Sequence, residues 1–406
     1  MLTSKIGGPV TEIQFTVNGS PYPWPAGEDE LEYIVDSSGA NGTLHFELAV
    51  AGEDSSAVAA ADVVVSLPAS GTVKHRIVDA TPSTSGNALA VVPGAGAEDD
   101  TVWVVGNAGH LLRFSRVQAG DLWTTTLADP MDVEAVAVDA EESLFVAGGL
   151  DGSLKVRRYR YLGGQWVSIW ERVVPGAVAH DVKVGPDGFV YVAGEVHAEA
   201  ALWVLTESGG TISHDSFAAE SNGLPLTSAA RAIAFEGERI VILGDLEADA
   251  LDEPKRAALF TFEAATLKLR AHDTENPDVA VTSSWNGAVS TPTGLMGVGW
   301  VLTDGQPALA RAQFSADLTS AAVALKAGHI GEGIFWHGPG GFEVVVGSKV
   351  DEDLNPTLFA QGGGAEYLDT DGVGYSVAVD RHGYTHVAGR VIEDGVSRLV
   401  LVTLHP

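Results

Sequence analysis

An all-β fold is predicted by three features of the 406-residue sequence: period-2 alternation of apolar residues, frequent glycine turns, and one motif recurring at a near-constant spacing. The clearest copies are YSVAVDRHGYTHVAG (375–389), DVKVGPDGFVYVAG (181–194) and AVAVDAEESLFVAG (135–148). Looser copies are AIAFEGERIVILG (232–244), GIFWHGPGGFEVVVG (333–347), ALAVV…TVWVVG (88–106) and NGAVSTPTGLMGVG (286–299). Anchored on Ala88, Ala135, Asp181, Ala232, Asn286, Gly333 and Ser376, the copies are spaced by 47, 46, 51, 54, 47 and 43 residues. A sustained period near 45 with strand alternation predicts a seven-bladed β-propeller.

Each unit continues alike. An alternating first strand leads through a polar turn to a Val-rich second strand that ends in glycine. A third alternating run follows, as in LLRFSRV (111–117), LKVRRYRY (154–161) or RLVLVTL (398–404), and then a more polar outer strand such as LWTTTLA (122–128). Four antiparallel strands make one blade. The seventh unit stops after its third strand, while TVKHRIVDA (72–80) alternates without a unit of its own. The expectation is a propeller over 71–406, its ring closed by 72–80 as the missing outer strand of the last blade.

Residues 1–70 lie outside the repeat. TEIQFTVN (11–18), LEYIVD (31–36), GTLHFELAV (42–50) and ADVVVSL (61–67) are expected to form a small β-sandwich-like module. Four strands are few for an independent core, so this module is expected to pack on the propeller or on another chain.

Composition bounds the function. With 54 Asp+Glu against 23 Lys+Arg the formal charge is −31, which repels nucleic-acid phosphates and anionic lipid and favours a basic partner. The absence of cysteine excludes disulfides, thiolate nucleophiles and Cys-ligated metal. No apolar run is long enough to insert in a membrane. The start, MLTSKIGGPVTEIQF, lacks the regions of a secretory leader, so no signal peptide is expected in the given chain.

The best copies resemble the bacterial seven-bladed propeller repeat often called SBBP, of the form apolar-x-Val-Asp-x-x-Gly-x-aromatic/Val-Val-x-Gly, with NHL-type repeats second. The likeness is sharp over about three units; the turn aspartate is replaced by Gly185 in the third unit and Glu236 in the fourth. The resemblance implies the fold and an extracellular, cell-surface or virion setting. It implies no particular chemistry, because propellers host binding, scaffold, lyase and hydrolase roles.

Asp380-Arg381-His382 falls where other copies carry turn residues, and is read as a turn. The position before each first strand reads Asn87, Glu134, His180, Arg231, Trp285, Glu332 and Tyr375. It is polar or aromatic in every unit and varies, while the blade cores repeat Val, Ile and Ala. First strands line the central channel, so these side chains, with Asp181, are the candidate ligand site at the channel mouth; the alternative is a solvated rim. No HExxH, GxSxG or phosphate-binding pattern is present, and no cofactor or catalytic residue is expected. Asp369-x-Asp371-Gly372 has the start of a calcium loop without its bidentate glutamate, so calcium binding there is expected to be weak at most and a blade-connecting loop is favoured. Trp103, Trp203 and Trp336 are expected between blades. Trp166 and Trp170, four apart, are expected on one face of an outer strand as core. Tyr22 and Trp24, between prolines, are the candidate partner contacts.

Two function classes follow. The first is a non-catalytic recognition or structural subunit for protein or glycan partners in a surface or multi-subunit assembly. Its rival is a propeller lyase or hydrolase acting on carbohydrate at the channel mouth, which a perturbed acid/base pair there would favour.

Overall fold

In the computed structural model the chain is built from antiparallel strands joined by tight turns. The structure describes residues 10–22, 42–52, 56–65, 71–92, 100–109, 111–118, 121–163, 165–221, 224–237, 239–248, 256–263, 268–272, 282–318, 321–336, 343–351, 355–362 and 365–405. They belong to two compact units, Met1–Ala69 with Pro406, and Ser70–His405. Among the described residues no helix is long and apolar enough to cross a membrane.

In the first unit one sheet runs Ser20–Tyr22, Val10–Val17, Gly42–Gly52, Ser56–Val65 in spatial order. Alternation buries Phe15, Val17, Leu44, Phe46, Leu48 and Val50 on one face, with the Phe15 and Phe46 rings stacked at 6.0 Å. No second sheet is present among its described residues, and LEYIVD (31–36) lies outside them.

The second unit is a seven-bladed propeller. Blade 2 shows the pattern: Asp132–Val138, Leu144–Leu150, Ser153–Leu162 and Gln165–Pro175 pair consecutively from the inside outward. Inner strands start at Thr84, Asp132, Ala177, Leu224, Ser283 and His329 in blades 1 to 6. Blades stack face to face, so both faces of the middle strands are apolar. The cores accordingly lie between blades: Trp103 packs with Val133, Val146 and Tyr159 of blade 2, and Trp203 with Phe145 and Val156. Trp336 packs on the cluster holding Val298 and Val345.

Hairpin turns follow their local chemistry. Asp151 and Gly152 both have positive φ (53° and 71°) between the second and third strands of blade 2, as a two-residue hairpin of this type requires. Asp380-Arg381-His382 is a turn: Asp380 Oδ1 accepts the His382 and Tyr384 amides at 2.9 Å each. Asp380 Oδ2 also accepts from His386 Nε2 at 3.1 Å, and His386 Nδ1 meets the Thr403 hydroxyl at 3.1 Å, so the aspartate ties the turn to three strands of its blade. Burial pushes the Asp380 carboxyl up, but the His386 bond and charge and the two amides outweigh it and hold it below the usual range.

The two ends of the propeller chain meet in blade 7. Val73–Val78 pairs antiparallel with Val396–Leu404, from Val78↔Val400 to Val73↔Leu404, and supplies the fourth strand. Arg76 on this strand donates from Nε to Asp369 Oδ2 at 2.7 Å and reaches Glu393 at 3.2 Å.

Two expectations are corrected. Asp369 and Asp371 are not in a loop: Ala365–Val379 is one continuous strand that leaves blade 6 as its outer strand and enters blade 7 as its inner one. The Asp369 carboxylate is taken by Arg76 and by the Tyr367 hydroxyl at 3.0 Å. Trp166 and Trp170 do not share a face. A bulge opposite Arg158/Tyr159 adds one residue between them, so Trp166 stacks on Phe114 toward blade 1 while Trp170 packs against the blade 2–3 core.

Candidate binding site at the channel mouth

The site is made by one backbone irregularity repeated seven times. The inner strand of each blade loses register by one residue against its neighbour, between Gly86/Ala88, Val133/Ala135, Ala179/Asp181, Ala230/Ala232, Trp285/Gly287, Gly331/Gly333 and Gly374/Ser376. The skipped residue is unpaired with the second strand and its side chain lines the central cavity, of ≈ 570 Å³. The bulge also turns the preceding carbonyl onto the second strand. At Gly106, Gly148, Gly194, Gly244, Gly299, Gly347 and Gly389 a Cβ would overlap that carbonyl oxygen, which is why every unit carries glycine there; each second strand continues past it instead of ending at it as the sequence suggested.

The bulged residues are Asn87, Glu134, His180, Arg231, Asn286, Glu332 and Tyr375, and all seven line the cavity. Six are those read from the sequence. In blade 5 the expected Trp285 lies one residue off: it is 5 % exposed, packs edge-on to Phe314 at 5.8 Å, and belongs to the blade 4–5 core. Asn286 takes the ring position, and the interval to the second-strand glycine does not reveal it: Trp285 stands as far before Gly299 as Glu134, His180 and Tyr375 stand before Gly148, Gly194 and Gly389.

Some of these groups are occupied in holding blades together. Asn87 Nδ2 donates to Val133 O of the next blade at 2.6 Å, and Asn286 Nδ2 makes the same bond to Gly331 O at 3.0 Å. Asp181, one position on, accepts the Val182 amide and the Ile233 amide of blade 4, each at 2.8 Å, and lies 3.7 Å from Lys183 Nζ. Burial still raises its carboxyl above the usual range against these partners. Arg231 donates from Nε to Asp245, which is 3 % exposed and also accepts the Ser284 hydroxyl at 2.9 Å.

Glu134, Glu332 and Tyr375 all line the cavity; Arg231 acts on both glutamates, and both glutamates act on Tyr375. Burial pushes the Glu332 carboxyl up to about 7, with the Asn286 bond (3.0 Å to Oε2) and Arg231 pulling back. Glu134 is also pushed to about 7, by burial first and then by Asp132 beside it, with Arg231 opposing. Glu134 still touches the water of the mouth; protein surrounds it on the other sides, which accounts for both its exposure and its shift. Burial raises the Tyr375 hydroxyl, Arg390 lowers it and both glutamates raise it further. The Arg390 guanidinium stands 5.9 Å from the centre of the tyrosine ring.

At the far end of the cavity Arg381 closes on Asp100, with Nε to Oδ1 and the backbone amide to Oδ2 both at 3.0 Å. Among the described residues no group of three or more His, Asp or Glu is placed to hold a metal ion. In the first unit, Tyr22 ends the short strand that pairs with Phe15, and Trp24 lies outside the described residues.

No family model and no curated protein sequence matches this chain. Solved structures do resemble it. "YCF48 bound to D1 peptide" superposes with a TM-score of 0.50 at 14% identity, over 84% of this chain and 100% of that one. A protein from Lactobacillus plantarum gives 0.48 at 13% identity, over 74% and 91%. At 14% identity the first likeness is one of fold alone.

Proposed function

We propose that this chain is a non-catalytic recognition propeller that binds a polypeptide partner at the mouth of its central channel. The carrying observation is the ring of seven bulges: one backbone device, identical in every blade, presents non-identical side chains to a single cavity. Asn87, Asn286 and Arg231 also bond neighbouring backbone or Asp245, and the four other positions, Glu134, His180, Glu332 and Tyr375, still differ in charge and shape. The peptide-bound state of the structurally similar YCF48 supports a protein partner at the level of fold. A glycan is less well served, because withdrawal of Trp285 into the core leaves Tyr375 as the ring's aromatic platform. The net charge of −31 favours a basic partner. On the strength of the repeat resemblance, the setting we propose is an extracellular, cell-surface or virion assembly.

The experiment is affinity capture from the native source with the chain and with a His180→Ala/Tyr375→Ala variant of unchanged melting temperature. A partner held by the first and lost by the second supports the reading; equal capture by both refutes it.

A second reading, a carbohydrate lyase or hydrolase, draws on Glu134 and Glu332, both held near 7 as acid/base groups need to be. Turnover of a polysaccharide panel that is lost in Glu332→Gln would establish it.

A further inference from the structure

We infer that two copies of this chain join edge to edge through the strand Ser56–Val65, which pairs antiparallel with its own counterpart and merges the two N-terminal four-stranded sheets into one. This contact does not depend on recognition at the channel mouth.

Ser56–Val65 stands at the edge of its sheet and pairs along one side only, with Gly42–Gly52. Ten residue pairs run from Gly42↔Val65 to Ala51↔Ser56 without a register break, so the strand is long and regular. Alternate N–H and C=O groups on its other side have no ladder partner among the described strands, and such an edge is a template for a further strand. Its sequence, SAVAAADVVV, holds one charge, Asp62, and no lysine, arginine or proline. Asp62 Oδ1 lies 2.6 Å from His45 Nδ1 on the neighbouring strand, which draws the carboxylate toward its own sheet and away from the free edge.

The outer edges of the propeller are protected by contrast. In blades 1, 2, 3 and 6 the pairing of the outer strand is broken by a register shift. The outer strand of blade 4 carries Lys268 and Arg270, and that of blade 5 carries Lys326. Val73–Val78 in blade 7 carries Lys74 and Arg76. Bulges and edge lysines are the devices that prevent strand addition, and Ser56–Val65 has neither.

The residues of the strand fit a second copy of it. About a two-fold axis at Ala59, Val58 stands opposite the partner's Ala60, Ala57 opposite the partner's Ala61, and Asp62 opposite the partner's Ser56. Residues of one face then meet residues of the same face, a valine packs beside an alanine, and the one carboxylate meets a hydroxyl instead of its own copy. Val58 is 65 % exposed, more than any other large apolar side chain among the described residues. Ala57, Ala59 and Ala61 continue the face that buries Phe46, Leu48 and Val50, and are themselves half-buried. Pairing carries that face across the joint and supplies strands that a four-stranded sheet lacks for a core. A basic partner, which the charge of −31 favours in general, finds here a single carboxylate that is already paired.

The test is the light-scattering mass of the full chain at micromolar concentration. The expected mass is that of two copies, and association should strengthen with added salt, which screens two like-charged chains from each other. Val58→Lys/Ala60→Lys sets like charges opposite each other on both sides of the axis and should weaken association about tenfold or more. Val58→Lys/Ala60→Glu sets opposite charges at the same positions and should restore it. Both positions are exposed, and each variant is first shown to keep the wild-type circular dichroism spectrum. Amide exchange over 56–62 should be slower in the dimer than in the diluted monomer. A wild type that stays monomeric, a lysine–lysine variant that dimerises normally, a lysine–glutamate variant as weak as the lysine–lysine one, or exchange over 56–62 that ignores concentration would each overturn the inference.

Discussion

The carbonyl oxygen of Val178 presses on Gly194 so closely that a methyl group on that glycine would overlap it, and the same contact recurs in all seven blades. The bulge that aims His180 into the channel therefore requires the glycine opposite it. Gly194→Ala forces either the bulge or the pairing of Ala177–Val184 with Val190–Val196 to give way. We expect a loss of about 3 kcal/mol, read from the urea midpoint. Any affinity that depends on His180 should fall with it.

Closure of the ring depends on Val73–Val78. Arg76 on that strand is the partner of Asp369, whose side chain is 6 % exposed, and it also reaches the exposed Glu393. Arg76→Ala leaves the Asp369 carboxylate with the Tyr367 hydroxyl, and should cost about 2 kcal/mol, nearly all from Asp369 because exposed pairs such as Arg76–Glu393 contribute little. Deleting 72–80 removes the strand outright, and thermal scans should show a much larger loss, with an added early transition from blade 7.

Glu332 places a cost on the fold that pH reveals. Its carboxyl is raised from 4.5 to about 7, so between those values the folded protein holds a proton that the unfolded chain has released. Its contribution to stability is accordingly greatest below pH 4.5 and is lost as pH rises through 7. Glu332→Gln should match the wild type in melting temperature at pH 4.5 and exceed it at pH 8. A variant no more stable at pH 8 would show that the carboxylate is better compensated than its surroundings indicate.

Trp285 and Asn286 are neighbours in sequence with separate roles. Trp285→Ala empties a site in the blade 4–5 core and should cost about 4 kcal/mol. Asn286→Ala removes the bond to Gly331 and the one that orients Glu332, and should cost about 1 kcal/mol while weakening binding at the mouth. Denaturant titration of both variants beside a binding assay on the partner separates the two effects.

Much of the propeller was legible because its blades stack on both faces, which writes near-continuous Val, Ala and Phe into the middle strands at a regular interval. Six ring residues were legible for the same reason. Blade 5 was not, since alternation along the inner strand cannot register a bulge, and each bulge exchanges the faces beyond it; counting back from Gly299 by the interval of blades 2, 3 and 7 also lands on Trp285. The bulge between Trp166 and Trp170 hid their opposite faces in the same manner. Buried charge was also illegible: Arg113 and Arg158 alternate like surface residues, yet they are buried, with Asp79 at 2.5 Å and Asp139 at 3.0 Å. Their partners lie just beyond the ends of other strands, Val73–Val78 and Asp132–Val138, and no local pattern pairs them.

The most direct test of recognition at the channel mouth is a photo-crosslinker, p-benzoylphenylalanine, placed at Tyr375 and, in a second protein, at the exposed Leu325 on the outer strand of blade 5. Both are irradiated in complex with the captured partner and the products read by mass spectrometry. The expected result is a crosslinked partner peptide containing lysine or arginine from position 375 and none from position 325. Crosslinks from position 325 with none from 375 would place recognition on the blade edges and contradict the account.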